Sequence, residues 1–161
     1  MQDLLVPDTA LLEKWLSDAG YQSYICDQCS GLHISALQTM DGIVDSRLFV
    51  EPWGMLFTTE MEVRNAAVMA VVADLTRLNM SFPTLKLFQD LPDESSPMLI
   101  ASSSILTTQG LTVPQFQEFF GVAVETKRQL LQECQQLQYL AQDTDPMVMP
   151  ESSSEEKTLL H

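Results

Sequence analysis

The chain has 161 residues, of which 45% are hydrophobic, and a formal net charge of −14. This length suits one domain, and a domain of this size buries roughly two-thirds of the surface of its unfolded chain. Only 8 Lys and Arg residues accompany 22 Asp and Glu residues, and they are scattered along the chain. The charge therefore disfavours nucleic acids and anionic membranes as partners, because both bind through basic patches.

The sequence predicts neither a membrane span nor an export signal. Its longest apolar run, residues 66–73, is far shorter than the ~20 residues that a spanning helix needs. The first residues include Asp3 and Asp8 and lack the basic region of a secretory signal. Three cysteines, an odd number, are typical of a reducing compartment. We expect a cytoplasmic protein.

The first part of the chain predicts one helix followed by strands. Asp8 or Thr9 can cap the helix with a side-chain oxygen. Trp15 lies on its apolar face, and Gly20 ends it. Alternation of apolar and polar residues is clearest at residues 55–63. Strands are expected at residues 21–26, 42–50 and 55–63, with Val44, Leu48 and Val50 on one face of the second strand. Residues 32–37 would continue the pairing briefly.

The second part predicts two further helices around two strands. Asn65 can cap a second helix that runs to about residue 79, and strands follow at residues 85–88 and 98–106. A capping-box pattern of Thr112 and Gln115 begins a third helix that extends to about residue 141. The order is α-β-β-β-α-β-β-α, which indicates an α+β fold with helices packed on an antiparallel sheet.

The chain divides by composition into a domain and a tail. Residues 1–141 carry the helix and strand patterns and form the α+β domain. Residues 142–161 are acidic, contain two prolines, and include a run of three serines at residues 152–154. Such a segment is typical of disordered chain, because it has too few apolar residues to bury.

The second helix is apolar on more than one side. Val68, Val71, Val72 and Leu75 form its main stripe, and its other side is rich in alanine. A helix with so little polar surface is usually covered on both sides. We predict that the sheet covers one side and a second copy of the chain covers the other, with these four residues as structural and dimer contacts. Burial within a single chain is the alternative.

Cys26, Cys29 and His33 form the one metal-like pattern in the sequence. A C-x2-C turn can place two thiolates on one zinc ion, and His33 would add a third ligand. A structural site needs four ligands, and no second C-x2-C is present, although two chains could pool theirs. The pair could also be a redox dithiol, but the sequence lacks the following helix that usually activates one. Two ordinary thiols in a tight turn are the simplest alternative, so no metal or cofactor is predicted.

Catalytic patterns are absent from the sequence. It contains no G-x-S-x-G elbow and no glycine-rich phosphate loop. Asp41 and Asp45 flank the start of a strand and could form a cleft with His33, which is a hypothesis for a small enzyme. No catalytic residue is predicted, and we expect a protein that is not an enzyme.

Several short segments of the chain together carry a resemblance to a known protein family. They are Cys26-Asp27-Gln28-Cys29 with Leu32-His33, Asp41-Gly42-Ile43-Val44-Asp45, Glu62-Val63-Arg64-Asn65-Ala66-Ala67-Val68, Ala73-Asp74-Leu75, Gln109-Gly110-Leu111-Thr112 with Gln115-Phe116, and Leu160-His161. With them the chain resembles the YbjN family of enterobacterial proteins, described as sensory-transduction regulators. That family is similar in fold to type III secretion chaperones, which dimerise and hold an unfolded stretch of a client protein.

The resemblance implies a regulator of motility, biofilm, exopolysaccharide or stress responses. The first hypothesis is therefore a non-enzymatic cytoplasmic regulator that acts as a homodimer through contact with another protein. One alternative is a metal- or redox-responsive sensor that uses Cys26 and Cys29. Another is a chaperone for a secreted or regulatory client, since a shared fold does not itself settle function.

Overall fold

The structure is a computed structural model and describes residues 3–142. Of the tail predicted at residues 142–161, residues 143–161 lie outside the described residues. The described elements are α1 (Thr9–Asp18), β1 (Ser23–Ile25), β2 (Leu32–Ile34), α2 (Ser35–Gln38), β3 (Ile43–Glu51), β4 (Gly54–Glu62), a 3-10 turn (Asn65–Ala67), α3 (Val68–Ser81), β5 (Lys86–Asp90), β6 (Met98–Leu106) and α4 (Val113–Gln136).

The six strands form one antiparallel sheet in the order β1-β2-β3-β4-β6-β5. The predicted α+β class is confirmed. The strand count differs by one, because the turn at residues 26–31 reverses the chain and pairs β2 antiparallel with β1. Residues 35–38, expected to be extended, form the short helix α2 instead.

The three long helices lie on one face of the sheet. Along β4, Met55, Phe57, Thr59 and Met61 are buried, while the residues between them are partly exposed. The buried β4 side chains belong to one hydrophobic cluster with buried residues of α1, α3 and α4, among them Trp15, Val71 and Phe116. We call the helix-covered side the inner face and the opposite side the outer face.

The predicted ends of α1 and the start of α4 are confirmed. The Asp8 side chain accepts a hydrogen bond from the backbone N–H of Leu11 at 2.8 Å, and Gly20 has a φ of 85° after the helix. At α4, Thr112 and Gln115 exchange the two hydrogen bonds of a capping box. Helix α4, the third helix expected from the sequence, ends at Gln136 and not at about residue 141. It ends there because the chain then turns and Leu140 pairs with Val63.

Two local predictions were wrong. Asn65 does not cap α3: it begins a 3-10 turn, and α3 starts at Val68 without a side-chain cap. In β3, Val44 was expected to share the buried face with Leu48. An irregularity in register between Ile43 and Asp45 turns Ile43 inward and leaves Val44 exposed.

No helix within the described residues combines the length and hydrophobicity needed to cross a bilayer.

Lys127, which interrupts the apolar stripe of α4, is buried on the inner face with 1% of its surface exposed. Its Nζ donates a hydrogen bond to the carbonyl oxygen of Phe57 at 2.9 Å and lies 3.2 Å from the centroid of the Phe57 ring. Burial lowers the pKa of Lys127 well below its ordinary value of 10.5. Folding therefore works against the charged form of this lysine.

Replacing Lys127 with methionine is expected to raise the free energy of unfolding at neutral pH by about 1–3 kcal/mol, because it removes the desolvation cost. That cost is fully present below the folded-state pKa. It declines as the pH rises and disappears above the ordinary value of 10.5, where lysine is neutral in both states. Chemical denaturation at neutral pH and at about pH 10 measures both effects.

The matched control is Lys86→Met, since Lys86 is exposed on β5. This change is expected to alter stability by less than about 0.5 kcal/mol. A Lys127→Met protein that is less stable than the parent at neutral pH would contradict the interpretation.

Candidate functional site

A cluster of ligand-type side chains lies where β1 turns into β2. Cys26 and Cys29 belong to the turn, and His33 lies on β2. In the sheet register His33 stands opposite Tyr24 of β1 and Arg47 of β3. Arg47 in turn stands opposite Thr58, which alternates with the buried residues of β4. The cluster is therefore on the outer face of the sheet.

The three side chains predicted as weak metal candidates are in mutual contact. The Sγ atoms of Cys26 and Cys29 are 3.1 Å apart, and each lies 3.1 Å from Nε2 of His33. A single ring nitrogen thus faces two thiols at the same distance. Among the described residues, this is the group whose ligand atoms are close enough to hold one metal ion.

Asp45 on β3 orients the imidazole. Its Oδ1 lies 3.0 Å from Nδ1 of His33 and also accepts hydrogen bonds from Nε2 of Gln38 at 2.7 Å and from the backbone N–H of Ser46 at 2.8 Å. A carboxylate accepts from a ring nitrogen only if that nitrogen carries the proton. In the neutral ring this leaves the lone pair of Nε2 directed at the two thiols.

Further side chains hold this arrangement in place. The ring of Tyr24 stacks on His33 with centroids 4.7 Å apart, and its hydroxyl pairs with the side chain of Gln38. Arg47 forms ion pairs with Asp45 and Glu60. His33 is buried by these neighbours, with 7% of its surface exposed.

The contacts shift the acid–base behaviour of the cluster. Hydrogen bonds with Cys29, and then with His33, lower the pKa of the Cys26 thiol from 9.0 to about 7. Burial opposes the charged form of His33, but the hydrogen bonds to Asp45 and Cys26 outweigh it and raise its pKa above 6.5. Burial likewise opposes the Asp45 carboxylate, yet hydrogen bonds from His33, Gln38 and Ser46 keep its pKa below 3.8.

The structure brings together part of the acidic cleft that the sequence suggested. Asp45 contacts His33, whereas Asp41 is exposed and its backbone carbonyl accepts a hydrogen bond from Gln135 at 2.9 Å. Sequence reasoning missed the roles of Tyr24, Gln38 and Arg47. The register of β1, β2 and β3 aligns two of them with His33, and the sequence alone does not specify that register.

The cluster suits a metal or a dithiol better than nucleophilic catalysis. A catalytic cysteine pairs with one base, and a substrate carbonyl must approach its sulfur. Here two thiols share Nε2 of His33. The second thiol therefore occupies space beside the first sulfur that an approaching substrate carbonyl would need. Two thiolates and one imidazole around a common point are instead the ligand set of a metal ion.

The four residues predicted as structural and dimer contacts differ in burial. Val71 is in the core, and Val68 and Leu75 are half-buried and pack against it. Val72 is 44% exposed. Among these four residues, Val72 is therefore the one that α3 exposes to solvent. The dimer interface predicted from the sequence stays a prediction.

Comparison with known families identifies the chain. The model of the YbjN family, described as "Putative bacterial sensory transduction regulator", matches residues 8–136. The chain belongs to the YbjN family. Relatives include YbjN of Escherichia coli strain K12 and YbjN of Shigella flexneri, each 37% identical over 119 residues, which is 74% of this chain and 75% of the relative.

Solved structures agree with this membership. The crystal structure of E. coli YbjN, described as "a putative transcription regulator", superposes with a TM-score of 0.83 at 34% identity and covers 86% of this chain and 99% of that one. A protein from Methanothermobacter thermautotrophicus superposes with a TM-score of 0.51 at 12% identity, covering 80% of this chain and 97% of that one, and shares the fold alone. The YbjN fold is therefore the fold of this chain.

The geometry predicts two reactive thiols and one protected thiol in the metal-free native protein. Cys26 and Cys29 are partly exposed, whereas Cys134 is fully buried, and burial raises its pKa to about 12. Ellman's reagent is expected to titrate two thiols quickly and the third only after denaturation. Cys134→Ala should leave the fast count unchanged, and a fast count of three would contradict the assignment.

Proposed function

We propose that this YbjN-family protein is a non-enzymatic cytoplasmic regulator that acts as a homodimer through protein–protein contact. The family description supports a regulatory role. The observation that carries the dimer is an exposed, uncharged stripe along α3. It consists of Met69, Ala73, Thr76 and Met80, which we call the α3 stripe.

The α3 stripe is exposed although it lacks charge. Met69 is 74% exposed and Met80 is 77% exposed, and Ala73 and Thr76 are exposed between them. These positions follow helical spacing and lie opposite the buried residues Val71 and Leu78, so they point away from the core. Flexible methionine side chains around small residues are typical of surfaces that bind other proteins.

The α3 stripe is complementary to itself. In an antiparallel pair of α3 helices centred between Ala73 and Thr76, Met69 meets Met80 of the partner subunit and Ala73 meets the partner's Thr76. The two long side chains at the ends then pack around small residues at the centre, where the helix backbones approach closely. A two-fold symmetric interface requires this kind of self-complementarity, and a second copy of the chain is therefore the partner that fits.

Charge also favours contact at the α3 stripe. Two chains of formal net charge −14 repel each other, so they associate best where the surface carries no charge. Arg77, beside the stripe, already pairs with Asp74 and Glu133 of its own chain. Dimerisation through the stripe therefore leaves these ion pairs in place and buries no unpaired charge.

The acidic surface bears on what the regulator binds. With 8 basic residues in the whole chain, binding to DNA is disfavoured, so a role in gene regulation, motility, biofilm, exopolysaccharide or stress responses would run through another protein. The likeness to type III secretion chaperones is part of the same proposal: the dimer would hold an extended segment of a client or regulatory protein, and no membrane contact is needed.

The cysteine cluster supports a second candidate function, that of a sensor. Cys26, Cys29 and His33 make mutual contacts of 3.1 Å on the outer face, a preformed arrangement that a structural turn does not require. This candidate is compatible with the dimer, since the cluster and α3 share no residue.

Met69→Glu and Met80→Glu are expected to dissociate the dimer while leaving the fold intact, because both side chains are exposed in a single chain. Burying an unpaired charge costs about 3–5 kcal/mol, so the dimer dissociation constant should rise by about a hundredfold or more. Native mass spectrometry and light scattering over a dilution series measure the dissociation constant.

Leu106→Glu is the matched control, because Leu106 is also 74% exposed but lies at the end of β6 and not on α3. This variant should keep the affinity of the parent dimer. A parent protein that is monomeric at all concentrations, or a dimer that Met69→Glu does not weaken, would refute the proposed interface.

A further inference from the structure

We propose that Cys26, Cys29 and His33 form a zinc site, with Asp45 as a positioning residue and water as the fourth ligand. The inference deepens the sensor candidate by naming its ligand. It does not depend on the α3 stripe, so the metal test and the dimer test can fail separately.

The three ligand atoms are close to the geometry that zinc imposes. A tetrahedral zinc ion with Zn–S bonds of about 2.3 Å and Zn–N bonds of about 2.0 Å holds its ligand atoms about 3.5–3.8 Å apart. In this structure Sγ of Cys26, Sγ of Cys29 and Nε2 of His33 are each 3.1 Å from the other two. Each pair therefore needs to separate by only about half an ångström to admit the ion.

The chemistry of the ligands favours zinc over magnesium and calcium. Thiolate and imidazole are soft or intermediate donors that favour zinc, whereas magnesium and calcium require oxygen donors. Two thiolates also neutralise the charge of one divalent zinc ion. The neighbouring Arg47 guanidinium is balanced separately by the carboxylates of Asp45 and Glu60, so a bound ion would face no uncompensated positive charge.

The surrounding residues match the second layer of a zinc site. A histidine that ligates zinc usually donates its other ring proton to a carboxylate, and Asp45 accepts at Nδ1 of His33 here. Gln38 and the backbone N–H of Ser46 fix that carboxylate, and Tyr24 covers the imidazole ring. These contacts hold the imidazole of His33 in place, with Nε2 facing the two thiols, before any ion binds.

Metal binding accounts for the cluster better than disulfide exchange does. Redox C-x2-C pairs are activated at a helix N-terminus, but here Cys29 leads into β2, and the nearby helix α2 has only four residues. A redox pair also does not need both sulfurs on one imidazole nitrogen. Both thiols contact Nε2 of His33, as two ligands converging on one ion would.

The described residues supply three ligands, and the proposed fourth ligand is water. The group that could hold a metal among residues 3–142 comprises Cys26, Cys29 and His33 alone. Three protein ligands and one water form an open zinc site, in contrast to the four protein ligands of a closed structural site.

Cobalt(II) reports on this site directly, because it takes the same geometry as zinc and is coloured. The reduced, metal-free full chain is titrated with cobalt and then with zinc as competitor. The expected result is one cobalt per chain, with intense visible bands of tetrahedral coordination, a near-ultraviolet thiolate-to-cobalt band, and displacement by zinc. Cys26→Ser and Cys29→Ser should each weaken binding at least ~100-fold.

Two further variants separate ligation from stability. Asp45→Asn is expected to weaken binding about 10–100-fold yet retain the tetrahedral thiolate spectrum at saturation, because the ligands remain. Cys134→Ala should bind like the parent, since Cys134 is buried in the core. Circular dichroism checks that each variant is folded.

Three outcomes would overturn the inference. The first is the absence of stoichiometric binding by the parent chain. The second is an octahedral spectrum that the cysteine changes leave intact, which would mark weak binding to surface carboxylates. The third is one metal per two chains with a four-thiolate spectrum, which would replace the open site with a site shared between two hairpins.

Discussion

The antiparallel register of β2, β3 and β4 is the constraint on which the position of the candidate site depends. Residues alternate across a strand, so the pairing that turns Phe57 inward toward α4 also turns Thr58 outward. The outward row continues from Thr58 to Arg47 and then to His33. A shift of one residue in β2 would place the imidazole of His33 in the core, and the same shift in β4 would place the Phe57 ring in solvent.

The proposed zinc site and the α3 stripe lie far apart on this frame. His33 is on β2, near one edge and on the outer face, while α3 packs on the inner face beside β5, the strand at the other edge. Four strand spacings of about 4.8 Å separate β2 from β5, or about 19 Å. Any influence of the metal on the dimer would therefore pass through the sheet, and the two surfaces can be altered independently.

Local patterns predicted most elements, while contacts between strands decided the site. Periodicity and caps located α1, β4, β6 and the start of α4, because these signals depend on neighbouring residues. The sequence paired Cys26 and Cys29 by spacing and suggested His33, but Tyr24 and Gln38 join them only through the β1–β2 register and the position of α2. The register irregularity near Val44 and the end of α4 likewise depend on tertiary pairing.

X-ray absorption at the zinc edge of the zinc-loaded chain measures the coordination shell itself. The zinc proposal predicts two sulfur atoms at about 2.3 Å and two nitrogen or oxygen atoms at about 2.0 Å, corresponding to Cys26, Cys29, His33 and one water. A shell of oxygen and nitrogen atoms alone, or of four sulfur atoms, would contradict it.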